Sequence, residues 1–398
     1  MISDTATLAE ACARLADEPY LCVDTEFIRE KTYWPLLCLV QIGGPDGNGV
    51  AVDPLAEGID LAPLLALLDK PDLVKVFHAA RQDIEIFFHM TGRIPEPLFD
   101  TQVAAMVCGF GEAASYETLA RKLAGAKVDK SSRFTDWAKR PLSDRQLTYA
   151  LGDVAHLPTI YDKLLRRLRE TGRGAWVDEE MAVLTDPMTY DINPERAWRR
   201  LKTRNTKPRA LAVLRAVVAV RESWAQEKDL PRQRLVRDEA LMEIAAHAPD
   251  TAEALAQTRG LSSGAAHGRL GQALLDAVAA GLAVPDADCP RPARAPHPAR
   301  GVGPLVDLLK VLLKLRCEEH DVAQKLVATA AQLERLAADG EDAESVAALH
   351  GWRRDIFGGD ALALRAGRLA LTVRGGRTDV IELAEGGEIV APARAQTG

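Results

Sequence analysis

Two carboxylates stand two residues apart in Tyr20-Leu21-Cys22-Val23-Asp24-Thr25-Glu26-Phe27, at the end of a short apolar run. In an extended strand residues i and i+2 share a face, so Asp24 and Glu26 project together from the end of a buried strand. Two carboxylates ~4 Å apart repel by roughly 4 kcal/mol at an effective dielectric near 20. A cation between them removes that cost, which makes the pair a candidate metal site. Taken alone, the pair is as simply read as a chain-turning Asp24 beside a solvated Glu26.

Three further side chains invite the same question. Asp83 falls near the start of a helix whose Ile84, Phe87 and Phe88 face a core, where an acid complements the helix dipole without doing chemistry. Tyr149 and Asp153 are four apart on a later helix and therefore neighbours on one face. A phenol and a carboxylate would point together at whatever that face lines. A core tyrosine beside a surface aspartate is the alternative.

The elements that must position these groups follow from the pattern. Leu8, Ala11, Leu15 and Ala16 recur at helical spacing, with Ser3 or Thr5 available as a cap. Strands are expected at 20–24, at Leu36 to Ile42 before Gly43-Gly44, at Gly49 to Asp53 and at Leu73 to Phe77, the first three joined by connections short enough for antiparallel pairing. Helices are expected at 61–68 and 80–90, and after Asp100, which has the look of an N-cap. Ser143 with Gln146 forms a capping-box pattern that starts the helix carrying Tyr149 and Asp153. Leu147, Leu151, Val154, Tyr161, Leu165 and Leu168 trace a buried stripe that Pro158 interrupts near residue 157. The sum is an α/β layer on one mixed sheet.

A chain of 398 residues has room for two or three domains, and 47% hydrophobic residues is an ordinary globular share. The N-terminus lacks a basic segment followed by an apolar run, and no apolar stretch reaches 18 residues, so the expectation is a cytoplasmic protein with no membrane partner. The cysteines at 12, 22, 38, 108, 289 and 317 have neither zinc-site spacing nor scaffold density and read as reduced core thiols. Net charge is -7, yet Arg196 to Arg237 holds thirteen Lys or Arg against three Asp or Glu. Such a segment on an acidic chain suggests a polyanion-facing surface, or a solvated helix face.

Jointly these signals have the order and spacing of one arrangement. D-x-E on a first strand, an Asp further on, and Y-x-x-x-D on a late helix resemble the DEDD exonuclease superfamily in its tyrosine form. The histidine form would place its residue at Thr148, and His156 lies on the wrong side of Asp153. Tyr33-Trp34-Pro35-Leu36-Leu37-Cys38-Leu39-Val40-Gln41-Ile42, Phe77-His78-Ala79 and Trp137-Ala138-Lys139-Arg140-Pro141-Leu142 are similar to segments of the bacterial ribonuclease D family.

Beyond the exonuclease region, Asp229-Leu230-Pro231 and Asp238 to Ala245 resemble an HRDC module, with Asp238 placed as a cap. Val322 to Thr329 and Gly351-Trp352-Arg353-Arg354 are similar to a second, divergent one. The fold implied is a mixed-sheet, ribonuclease H-like α/β exonuclease domain (1–190) followed by two small all-α HRDC domains. A basic linker (191–206) leads to the first (207–284), a Pro-rich linker (285–304) to the second (305–375), and 376–398 is a tail with room for a short strand at Asp379 to Leu383.

By resemblance, the activity is 3′-to-5′ exoribonuclease cleavage of RNA with a 3′-hydroxyl end, trimming transfer RNA precursors and other small structured RNAs to release nucleoside 5′-monophosphates. DNA as polymer, or a degenerate RNA-binding domain, is the alternative. Asp24, Glu26, Asp83 and Asp153 would hold two divalent cations, all-oxygen ligation suiting magnesium or manganese. Asp24 would bridge them. Tyr149, a poor base at neutral pH, would orient the attacking water. Phe27 and His78 are candidate contacts to the terminal bases or sugar, and Lys130, Arg133 and Arg140 to phosphates. No heptad seam demands an oligomer, so a monomer is expected.

Overall fold

The apolar run that opens the first strand does become the centre of the sheet. A computed structural model of the chain describes residues 1–129, 132, 135–203, 205, 207–291, 301–343, 345–384 and 389–392. After α1 (Thr5–Leu15), strand β1 (Tyr20–Ile28) is flanked on one side by β2 (Leu36–Gly43) and β3 (Gly49–Val52). On its other side lie β4 (Val74–Phe77), after α2 (Ala62–Leu68), and β5 (Leu98–Asp100), after α3 (Arg81–Thr91). The sheet order is β3-β2-β1-β4-β5, with β2 and β3 antiparallel as their short connections dictate and β4 and β5 parallel. A bulge between Glu26 and Phe27 shifts the register to β2. Bulges bend a strand and re-aim its side chains, and this one falls immediately after the acidic pair.

Helix ends follow their local chemistry. Asp4, rather than Ser3 or Thr5, caps α1 by accepting from the Thr7 backbone N–H. Asp100 caps α4 (Thr101–Val107), and it also accepts from the N–H groups of Ala79 and Ala80, tying the left-handed turn at Ala79 to the neighbouring strand. After the short α5 (Tyr116–Leu119), α6 (Asp144–Ala155) starts at the Ser143–Gln146 capping box. Pro158 then sits in the first turn of α7 (Leu157–Thr171), where a missing N–H costs nothing. Helix α8 (Gly174–Leu184) closes the domain, whose apolar core runs from Ile2 to Tyr190.

The second unit packs α9 (Pro208–Glu227), α10 (Arg232–Leu235), α11 (Asp238–His247), α12 (Ala252–Leu255), α13 (Ser263–Ala266) and α14 (Arg269–Ala283) around Leu214, Val217, Leu241 and Leu274. Two expectations need correction here. Residues 191–206 are not a free connection, because Pro194–Arg200 forms a 3-10 turn whose Ala197 enters this core. Asp238 does not cap α11; it lies in the first turn and pairs with Arg221.

Most of the proline-rich connection, residues 292–300, lies outside the described residues. The third unit contains α15 (Gly303–Glu319), α16 (Gln324–Val327), α17 (Ala330–Asp339), α18 (Gly351–Arg353) and α19 (Gly359–Arg365). It is not all-α. Strands β6 (Leu369–Arg374), β7 (Arg377–Leu383) and β8 (Ile389–Pro392) form an antiparallel sheet, and Leu369 and Val380 join the helical core, so 376–398 is not merely a tail. This unit docks on α8 through stacked Trp176 and Trp352, 4.3 Å apart, and through Arg353 against Glu179 and Glu180.

Candidate active site

The sheet delivers both acids of β1 to one cleft of about 690 Å³, lined by Asp24, Glu26, Phe27, His78, Tyr149 and Asp153 among others. Carboxylate oxygens of Asp24, Glu26 and Asp153 all lie within 4.8 Å of one another. Their convergence has a simple cause: α6 packs across β1, β2 and β3, and the four-residue spacing sets Tyr149 and Asp153 on one face toward the cleft. Asp83 enters from the first turn of α3, buried, and accepts a hydrogen bond from the Thr25 hydroxyl between the two acids of β1. It stands beside the three-carboxylate group rather than within it.

Burial and mutual repulsion hold these acids far from their ordinary state. Burial first, then the charges of Asp83, Asp153 and Glu26, raise the Asp24 carboxyl well above the usual range. Burial and the charges of Asp153 and Asp83 lift Glu26 to about 8, and burial lifts Asp83 and Asp153 to about 7. Among the described residues, no Lys or Arg forms an ion pair with any of the four. Such a cluster of oxygen donors is a donor set for a hard divalent cation.

The remaining sequence candidates divide. His78 lines the cleft, and its Nδ1 lies 3.0 Å from the Thr101 hydroxyl, which itself donates to the Phe77 carbonyl. The hydroxyl proton is thus engaged, so Nδ1 carries the proton and Nε2 is left as an acceptor; burial keeps the ring neutral by lowering its affinity for a proton. Phe27 is both things at once, half-buried against the core and exposed to the cleft. Arg140 is a correction. It forks onto Asp53 at 2.6 and 2.7 Å and donates to the carbonyls of Cys38 and Trp137, so its guanidinium ties the 137–140 segment to β2 and to Asp53 instead of reaching phosphate. Lys130 and Arg133 lie outside the described residues.

Sequence reasoning missed Tyr116. Its hydroxyl donates to the Gly152 carbonyl at 2.8 Å and accepts from the His156 N–H at 3.1 Å, bracketing Asp153 at the end of α6. A lone tyrosine at the start of a short helix carries no local signal of that job. Arg29 and Lys31, also at the cleft, were legible only as loop residues after the acidic strand.

Known proteins resemble this chain along most of its length. Residues 1–169 match a 3′-5′ exonuclease family model and residues 210–278 an HRDC domain model. The ribonuclease D of Acidiphilium cryptum is 53% identical across 96% of this chain and 97% of its own length. The chain belongs to the ribonuclease D family. That of Gluconacetobacter diazotrophicus is 52% identical over 95% of each chain. The crystal structure of Escherichia coli RNase D, described as an exoribonuclease involved in structured RNA processing, superposes with a TM-score of 0.78 at 30% identity, covering 92% of this chain and 97% of the other. As a ribonuclease D, the enzyme is a 3′-5′ exoribonuclease, a hydrolase whose substrate is RNA. Six buried cysteines are unpaired, and among the described residues no helix is long and apolar enough to cross a membrane.

Proposed function

We propose that the chain is the tyrosine form of the family and removes nucleoside 5′-monophosphates one at a time from 3′-hydroxyl ends, with transfer RNA precursors and other small structured RNAs as substrates. The observation that carries the reading is the convergence of Asp24, Glu26 and Asp153 oxygens within 4.8 Å in the cleft that Tyr149 also lines, with Asp83 held behind them by the Thr25 hydroxyl. Two divalent cations, magnesium or manganese, would supply Lewis-acid stabilisation of the attacking and leaving oxygens of an in-line displacement. Asp24, Glu26 and Asp153 would hold one of them, Asp24 would bridge, and Asp83 would support the other.

The protein's own groups do the rest. Thr25 fixes the Asp83 carboxylate by its hydrogen bond, and Tyr116 fixes the helix end that carries Asp153. Tyr149 orients the water for attack, while Phe27 and the Nε2 of His78 meet the terminal base or sugar. The three units are read as an exonuclease domain, an HRDC module and a divergent second one, acting as a monomer in the cytoplasm.

The basic segment 196–237 holds the RNA body. Part of its charge is spent internally, since Arg209 binds the carbonyls of Leu282 and Val284 and the Asp286 carboxylate, and Arg221 pairs with Asp238. Incubating the enzyme with 3′-labelled RNA and DNA of one sequence, in magnesium, manganese or EDTA, tests the reading. Mononucleotide release from RNA that EDTA abolishes is the expected result. Persistence in EDTA would reject the metal site, and equal cleavage of DNA would reject the RNA preference.

A further inference from the structure

A second cavity, of about 380 Å³, opens where the loop between β1 and β2 meets the first helical unit. Its walls carry four guanidinium groups, Arg29, Arg200, Arg221 and Arg232, against two carboxylates, Glu222 and Asp238. Glu85, outside the cavity, pairs with Arg29, and the balance is still positive by one. Arg29 also lines the catalytic cleft, so the two cavities share that side chain.

One group in this cavity lacks what it needs. Arg221 is 2% exposed, its Nη1 donates to the Val236 carbonyl at 3.0 Å and to Asp238 at 2.5 Å, and its buried Nε–H has no acceptor. Leaving such a donor unpaired costs roughly 1–3 kcal/mol. Arg200, 54% exposed, reaches Glu222 through one nitrogen at 3.1 Å. A cavity whose guanidinium groups outnumber its carboxylates, with the half-exposed Arg200 at its wall, calls for an anionic oxygen.

We propose that this cavity binds a backbone phosphate of the RNA strand upstream of the scissile bond. The proposal rests on the cleft being the catalytic site: a strand whose 3′ end lies there and which leaves past Arg29 arrives at this cavity. The enzyme thereby grips its substrate at two separated points, and the first helical unit supplies the second grip. A dinucleotide without a 5′-phosphate has only its scissile phosphate and cannot use that grip.

Gln233→Glu is the test. Gln233 lines the cavity and accepts, through Oε1, from the Asp238 N–H at 3.4 Å, a bond that a glutamate keeps while adding a negative charge. The expected result is a fall of roughly tenfold in kcat/KM for a single-stranded dodecanucleotide, the size of one charge-assisted hydrogen bond, carried by KM. Cleavage of the dinucleotide should be unchanged, and the salt dependence of dodecanucleotide binding should become shallower by about 0.7 in log-log slope. Arg200→Ala, in which Glu222 keeps Arg232 and Tyr33, should discriminate between the substrates in the same direction with only a small fall in melting temperature.

Equal effects on both substrates, or no effect on either, would overturn the proposal, since either outcome makes the cavity structural or inert. A wild type that cleaves neither substrate is a different failure and rejects the cleft assignment. Dodecanucleotide affinity by fluorescence anisotropy then judges the cavity by itself, with unaltered affinity in both variants rejecting it.

Discussion

Two nests of buried carboxylate lie on either side of Arg29, and they are built on opposite principles. At the cleft, Asp24, Glu26 and Asp153 crowd together with Asp83 beside them and no paired protein cation among the described residues, and all four carboxyls are pushed up. At the domain junction, Glu222 is wholly buried, yet Arg232 forks onto it at 2.7 and 2.9 Å, Arg200 reaches it at 3.1 Å and the Tyr33 hydroxyl donates to it. Burial again opposes its charge, but those donors and charges prevail and its carboxyl is held below the ordinary value. A buried acid with partners is part of the architecture, whereas a cluster left without them has the perturbed carboxyls of a functional site.

Replacing one acid in each nest should therefore have opposite consequences. Asp24→Asn should lower single-turnover hydrolysis of RNA by roughly a thousandfold or more, the several kcal/mol that metal assistance supplies. The same change relieves repulsion, so in EDTA at neutral pH its melting temperature should rise. Activity near wild type would show that the cleft cluster is not the centre of catalysis. Glu222→Gln should do the reverse: denaturant melts should show a loss of about 3 kcal/mol, the cost of breaking a buried ion pair, while kcat for a dinucleotide holds. An unshifted melt would mean that the Glu222 cluster is not holding the junction.

How much of this was legible beforehand depends on whether the signal is local. Strand alternation and the two-residue spacing placed Asp24 and Glu26, and the Ser143 box fixed the phase of α6 and so the Tyr149–Asp153 face, because both depend on neighbours in sequence. Glu222, Tyr33 and Asp229 were invisible as a junction. Asp229, with φ of +49°, accepts from the N–H groups of Tyr33 and Trp34 nearly two hundred residues away, and nothing in either segment announces the other. Arg140 misled for the same reason: its basic charge suggested a phosphate contact, and its partner Asp53 is remote in sequence. In the third unit a short strand was expected at Asp379 to Leu383, within what became β7, while β6 was missed because β6 and β7 are mostly half-exposed or exposed, leaving little apolar alternation to read.

Tyr149 sharpens the comparison within the cleft, since its assigned part is orientation rather than charge. Its ring centroid lies 6.0 Å from that of Trp137, a contact that Tyr149→Phe retains. That variant should lose about 10- to 100-fold in kcat, within the range of a positioned acid–base group, with KM little changed. A comparable rise in KM would instead place Tyr149 in substrate binding.

The smallest effect separates the nests by their response to protons. In the folded, metal-free enzyme Glu26 titrates at about 8 and Asp83 and Asp153 at about 7, above the ordinary values of 4.5 and 3.8. Between those limits the folded state binds more protons than the unfolded one, so the contribution to stability is present at low pH and lost as pH rises through the folded values. Glu222 has the opposite sign, since its depressed carboxyl stabilises above its ordinary value and loses that effect only in acid. Melting in EDTA should thus fall by several degrees from about pH 5 to about pH 8, because ~1 kcal/mol moves a domain of this size by roughly 2–4 °C. Manganese competes with protons for the same oxygens. It should raise the melting temperature little at about pH 5 and by several degrees at about pH 8, through preferential binding to the folded state. Asp24→Asn should shrink that increment and Glu222→Gln should leave it intact; an increment independent of pH would place the cation somewhere other than among these four acids.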